Sequence, residues 1–265
     1  MVKEFEQHDY WALILGGSSG LGLAAALKLA AHGMHICIVH RDVGADMDQV
    51  SESFEQIRAT GVQVITFNAS ITNVEKRAHI VTELQQQMGS GGRVRCLLHS
   101  VAKGALKAMD QPGSASLQTD DFMITLESMA VSLYDWTKAL VRQALFAADA
   151  RVLSFTSEGS SKAWKNYAAV SAAKAALEAV SRSIALEFAP YGLRSNCLQA
   201  GVTDTRSLRM IPGSEQLLAY SKNRSPFHRL TTPEDVANMV YLLCKDEAAW
   251  VNGAVIPVDG GTHIN

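Results

Sequence analysis

The stretch Trp11-Ala12-Leu13-Ile14-Leu15-Gly16-Gly17-Ser18-Ser19-Gly20-Leu21-Gly22 decides the fold. Its first five residues form an unbroken apolar run that stops at glycine, the pattern of a short strand covered on both faces. Leu21 to His32 follow as a helix rich in alanine and leucine, closed by Gly33. Between strand and helix lie glycines at 16, 20 and 22, a GxxxGxG spacing. Glycines so placed permit a tight turn, close approach of the backbone to a ligand, and close helix–strand packing. The helix that opens there offers free N–H groups and the positive end of its dipole to a pyrophosphate. Gly16, Ser18, Ser19, Gly20, Leu21 and Gly22 are the candidate phosphate-binding residues. A glycine turn used only for packing is the competing reading.

Outward from this unit the alternation repeats. Apolar runs at 34–39, 62–67, 94–98, 152–155, 194–198 and 254–258 read as strands. Helical patterns lie at 50–59, 74–88, 122–147, 168–189 and 233–244, the last with Thr232 as its cap. Strands alternating with helices of this length predict an α/β fold: one doubly wound, Rossmann-type domain over residues 1–265, built on a seven-stranded parallel sheet. No linker, repeat or charge run interrupts it. The least regular parts are 103–121 and 203–229. The second carries Pro212, Gly213 and Pro226 between a strand and a helix, and is expected to be a lid over a substrate.

Bulk properties narrow the field. The 265 residues are 48% hydrophobic and 19% charged, enough apolar content for a large core. A net charge of -2 without a basic run argues against nucleic acid and anionic membrane as partners. Cys37, Cys96, Cys197 and Cys244 are far apart and form no CxxC or Cys/His cluster, so neither a disulfide frame nor a metal site is expected. The polar first nine residues lack the apolar core of a signal peptide, and no apolar run approaches the ~20 residues of a membrane span. A cytoplasmic protein is expected.

The second strand ends Val39-His40-Arg41-Asp42. An acidic residue at such a tip would bind a ribose 2′-hydroxyl; here Arg41 can pair with a 2′-phosphate, which favours NADPH. Asp42 reads as a turn or cap residue. Farther on, Asn166-Tyr167-Ala168-Ala169-Val170-Ser171-Ala172-Ala173-Lys174 places a phenol and an ammonium seven residues apart. In a continuous helix their Cα atoms would stand ~10 Å apart on one face, and such a pair can serve as acid and orienter.

With these residues in hand, the chain resembles the short-chain dehydrogenase/reductase family over nearly its whole length. The resemblance rests on the Gly16/Gly20/Gly22 turn, Ser157, the Lys174 helix, Ala200-Gly201 with Thr203 and Thr205, and the closing Asn252-Gly253-Ala254-Val255-Ile256-Pro257-Val258-Asp259-Gly260-Gly261. Four departures are informative. The position four before the lysine, usually tyrosine, is Val170, and the tyrosine is Tyr167. His99-Ser100-Val101-Ala102 replaces the usual Asn-Asn-Ala-Gly, Ala200-Gly201 replaces Pro-Gly, and Ala130 stands where an asparagine is expected. These are similar to the enoyl-acyl-carrier-protein reductases, most of all the NADPH-dependent branch close to ordinary family members. A second active-site tyrosine has no match, and Ser70 replaces an aspartate near the adenine.

The resemblance implies that Tyr167, Lys174 and Ser157 carry the chemistry. It implies that Arg41, Ser70, Ile71, Ser100, Val101, Ala102, Lys174, Gly201, Thr203 and Thr205 join the glycine turn around NADPH. The substrate would be an enoyl thioester on acyl-carrier protein or coenzyme A, and the assembly a homotetramer. In such a substrate the hydride lands on the β-carbon while charge develops on the thioester oxygen, farther away. A tyrosine displaced along the helix suits that geometry. His99 is expected to pack or hydrogen-bond rather than act as a base. Met109, Phe122, Met123, Leu208, Met210, Ile211 and Phe227 are candidates for an apolar slot. A carbonyl, ketoacyl or dienoyl-CoA reductase is the alternative, and a non-catalytic NADP(H)-binding protein a third reading.

Overall fold

The computed structural model describes residues 3–113, 115–211 and 213–265, so Pro212 lies outside the described residues. Seven strands form one sheet: β1 (Tyr10–Leu15), β2 (His35–His40), β3 (Val64–Asn68), β4 (Arg93–His99), β5 (Phe146–Thr156), β6 (Leu193–Ala200) and β7 (Val255–Val258). Their order is β3-β2-β1-β4-β5-β6-β7, and every pairing is parallel. The expected fold class is the one observed.

Why the strands read as unbroken apolar runs is visible in their packing. Ala12 and Ile14 face one layer, with α1 (Gly20–Ala31), α2 (Met47–Arg58) and α9 (Pro233–Cys244). Trp11, Leu13 and Leu15 face the other, with α3 (Val74–Met88), α5 (Ser132–Arg142) and α6 (Ala168–Glu187). All five side chains are wholly buried, because a parallel strand between two helical layers has no solvent face. Since the strands run parallel, their carboxyl ends share one edge. The chain leaves β1 and β4, neighbours in the sheet, toward opposite layers, which opens a crevice between them at that edge.

At the opposite edge two arginines are almost completely buried. Arg95 donates to the Cys244 carbonyl at 3.0 and 2.8 Å, and Arg151 donates to the Leu243 carbonyl at 2.7 Å. They satisfy carbonyls that the end of α9 leaves unpaired, and Asp149 ion-pairs with both.

The segments 122–155 and 203–229 differ from the sequence reading. The segment 122–147 is not one helix. It begins earlier, as α4 (Thr119–Leu126), widens into a π turn at Glu127–Val131 that contains Ala130, and continues as α5 only to Arg142. Ala144 then adopts φ 51, a left-handed conformation that ends the helix without a glycine to announce it. The apolar residues after it start β5, which runs from Phe146 rather than Val152. The region 203–229 is also more regular than expected, holding α7 (Arg206–Arg209) and α8 (Ser214–Arg224).

Candidate active site

The sequence-predicted residues all lie at or just beyond the carboxyl edge. The glycine turn follows β1, Arg41 follows β2, Ser70 and Ile71 follow β3, and Ser100 to Ala102 follow β4. Ser157 follows β5, and Gly201, Thr203 and Thr205 follow β6. Contacts knit the first group together. A Cβ on Gly16 would overlap the Ser100 carbonyl oxygen, and one on Gly22 would overlap the Gly16 carbonyl and meet Ser100 Oγ at 2.9 Å. Gly20 (φ 55) faces Thr205, whose Cγ2 would lie 3.4 Å from an added Cβ. The turns after β1, β4 and β6 are therefore in mutual contact. Thr203 is buried and donates to the Gly201 carbonyl at 2.9 Å. Ser70 pairs with Thr72 at 3.0 Å, and the Ile71 carbonyl accepts from Trp136 Nε1 at 2.9 Å.

The N-terminus of α1 fits an anion. Ser19 precedes it in extended conformation and makes no side-chain cap, and the first turn holds no acidic residue. Asn73 caps α3 and Thr232 caps α9, while α2 and α6, like α1, have no side-chain cap. The first N–H groups of α1 are thus left without a capping side chain among the described residues, as a phosphate cradle requires.

Tyr167 occupies the N-cap of α6 rather than its first turn. Its carbonyl accepts from Ser171 N at 2.8 Å, so the helical spacing to Lys174 is kept. The ring is buried against Trp164, with centroids 5.2 Å apart and planes at 51°. Gly159 also meets the ring: a Cβ there would come within 2.6 Å of Tyr167 Cε1 and 3.3 Å of Ser157 Oγ. Burial raises the phenol above its usual value, and the neighbouring Ser157 hydroxyl offsets part of that rise. Ser157 Oγ is itself buried and has no complete hydrogen bond among the described residues. Val170 packs in the same apolar cluster as Tyr167, and its Cγ2 would lie 2.5 Å from a Cβ on Gly104.

Lys174 is buried and donates to the Phe155 carbonyl at 2.5 Å. Burial lowers its ammonium to about 8, although Cys197 and Glu178 favour the charged form. Burial first, and the Lys174 charge second, push His99 down to about 3. His99 Nε2 lies 2.8 Å from Ser132 Oγ, which donates to the Ser128 carbonyl at 2.9 Å. The hydroxyl's single proton is therefore used, and Nε2 carries the imidazole proton. A neutral, wholly buried His99 is a hydrogen-bonding residue and not a base.

The apolar slot differs from the sequence reading. Met109, Met123, Met210 and Phe227 are exposed. Of the expected side chains, Ile211 packs at the Tyr167–Val170–Met129 cluster, together with Leu106, Leu126 and Trp164. Trp164 and Gly159 belong to the site as well. The signal for Trp164 was a lone aromatic in the polar run Ser160-Ser161-Lys162-Ala163-Trp164-Lys165-Asn166. Gly159 carried none, because its contact depends on how the loop after β5 folds back.

Comparison with known proteins then fixes the family. Residues 16–263 match the family described as enoyl-(acyl carrier protein) reductase, one of the short-chain dehydrogenase/reductase groups. The chain belongs to the short-chain dehydrogenase/reductase family. It is an oxidoreductase of that family. Among curated relatives, a cyclohexanol dehydrogenase of Rhodococcus sp. (strain TK6) is 27% identical over 263 residues, covering 94% of both chains. A 1-cyclohexenylcarbonyl-CoA reductase of Streptomyces collinus is 28% identical over 257 residues, covering 96% of this chain and 86% of the relative. Among solved structures, the enoyl-[acyl-carrier-protein] reductase (NADH) of Aquifex aeolicus VF5 superposes with a TM-score of 0.81 at 23% identity, covering 97% of each chain. Among the described residues no helix is long and apolar enough to cross a membrane.

Proposed function

We propose that this short-chain dehydrogenase/reductase uses NADPH to reduce the carbon–carbon double bond of an enoyl thioester. The observation that carries the reading is the arrangement at the start of α6: a buried Tyr167 phenol with the Ser157 hydroxyl beside it, and an apolar Val170 packed against Gly104. The family's usual tyrosine position thus offers no proton, and the polar group stands one turn earlier.

NADPH, when bound, supplies the hydride. The uncapped N-terminus of α1 would take the pyrophosphate, Arg41 the 2′-phosphate, and Lys174 the ribose hydroxyls. Ser70, Ile71, Ser100, Val101, Ala102, Gly201, Thr203 and Thr205 would complete the contacts. The substrate gains a hydride at its β-carbon and a proton, from solvent, at its α-carbon. Tyr167 donates a hydrogen bond to the thioester oxygen, where negative charge develops in the transition state. Its raised pKa keeps it a donor at neutral pH. Ser157, buried without a full partner, has a hydrogen bond to give to the same oxygen or to the phenol. Leu106, Leu126, Met129, Trp164 and Ile211 exclude water, which strengthens both donors. The name of the Streptomyces relative, a reductase of a ring-conjugated acyl-CoA, supports an enoyl thioester.

The Rhodococcus relative, an alcohol dehydrogenase, favours carbonyl chemistry instead. NADPH oxidation at 340 nm separates the two. Crotonyl-CoA or a crotonyl carrier protein should be turned over, and acetoacetyl-CoA and cyclohexanone should not. Turnover of the ketones alone would replace this reading with the carbonyl one.

A further inference from the structure

The tip of β2 carries more than Arg41. The connection 41–46 holds two carboxylates, and both are committed. His40 Nδ1 lies 2.8 Å from Asp42 Oδ2. The His40 side chain is 3% exposed and its ring meets Phe54 edge-on at 5.2 Å, so the imidazole is fixed in place. Asp42 is held a second time through its backbone, its carbonyl accepting from Asn68 Nδ2 at 2.9 Å. Asp46 pairs with Arg206 at 2.9 Å, across from α7. Arg41 is exposed and has no ion-pair partner among the described residues.

We propose that the His40–Asp42 pair determines cofactor choice by holding the Asp42 carboxylate away from the ribose, leaving Arg41 as the group at the tip that reads the 2′ position. The inference rests on the NADPH reading above and deepens it. A carboxylate next to a bound 2′-phosphate repels it, and the same carboxylate accepts a hydrogen bond from a 2′-hydroxyl. Released, Asp42 therefore works against NADPH and for NADH. A two-residue spacing brings the pair together only because His40 is the last residue of β2 and points into the layer against α2. In this arrangement His40 is a specificity-determining residue that touches no reacting atom.

The test is equilibrium binding of NADPH and of NADH by calorimetry, which needs no substrate, on the wild type, His40→Phe, Asp42→Asn and the double variant. Phenylalanine keeps the buried ring and its contact with Phe54 and removes the nitrogen that holds the carboxylate. His40→Phe should weaken NADPH binding about tenfold and strengthen NADH binding, the size of one close like-charge contact partly screened by solvent. Adding Asp42→Asn should restore NADPH affinity, and Asp42→Asn alone should leave it within about twofold of the wild type. A folded His40→Phe protein that keeps the wild-type preference for NADPH would overturn this inference and leave the cofactor reading standing. So would a double variant as weak as the single one, since the carboxylate would then not be the cause. A wild type that binds both cofactors equally would overturn the cofactor reading and this inference with it.

Discussion

Among single residues, the protonation of Lys174 and Tyr167 at working pH decides what the site can do. Burial lowers Lys174 to about 8, so it is charged below that value and loses its proton above it. The Tyr167 phenol is raised instead, so it remains a donor throughout this range. The pH profile of kcat/KM for NADPH, which reports the free enzyme, should fall tenfold per unit above about pH 8. It should show no limb between pH 5 and 7 from His99, which burial holds near 3. A flat profile through pH 9.5 would mean that the Lys174 charge is not required. Arg41→Ala should weaken NADPH binding by about 1.5–3 kcal/mol, the scale of a charged hydrogen bond, and leave NADH nearly unchanged. Fluorescence titration with both cofactors checks it, and equal losses would count against a 2′-phosphate contact.

Among the elements, the segment 203–229, proposed as a lid, is fastened at one end. Arg224, in the last turn of α8, ion-pairs with Glu158 at 2.8 Å and donates to the Asn265 carbonyl at 2.9 Å. Glu158 lies between Ser157 and Gly159 in the loop that meets the Tyr167 ring, and the Gly159 carbonyl accepts from Ser171 Oγ at 2.5 Å. The end of α8 and the loop beside the phenol are thus one connected unit. The near end, α7, is a single turn of helix with all four residues at least partly exposed. We predict that hydrogen exchange in the free protein is fast in α7 and slow at the end of α8, and that NADPH slows α7. Arg224→Gln should extend fast exchange into α8 and lower kcat several-fold with little change in the KM for NADPH. Uniformly slow exchange across 203–229 would contradict a lid. Little of this was legible in the sequence: Arg224 and Glu158 are 66 residues apart, and nothing local marks them as partners.

At the scale of the whole molecule, the sheet was legible because strands buried on both faces leave a plain apolar signature, and the glycine turn because backbone contacts at Gly16 and Gly22 leave no room for a side chain. The π turn at 127–131 and the early end of α5 were not, since Ala144 takes a glycine-like conformation that composition does not reveal. Tyr167 and Lys174 were legible as a spaced pair, whereas the walls around them, Trp164 and Gly159, come from a loop whose path the sequence does not mark. For the homotetramer that the family resemblance implies, we propose the edge at β7 as the interface. β7 is an open edge of the sheet, and Trp250, just before it, is 96% exposed. Trp250→Glu should shift the protein to a smaller species in sedimentation, and an unchanged size distribution would put the interface elsewhere. The central claim is that the Tyr167 phenol stabilises charge on the thioester oxygen of an enoyl substrate. Its most direct test is the kinetics of Tyr167→Phe with a crotonyl thioester, alongside NADPH binding. We predict that kcat and kcat/KM fall together by roughly 10²–10³, the cost of one lost oxyanion donor, with NADPH affinity unchanged. A Tyr167→Phe enzyme that keeps most of its wild-type kcat on the enoyl thioester would contradict it.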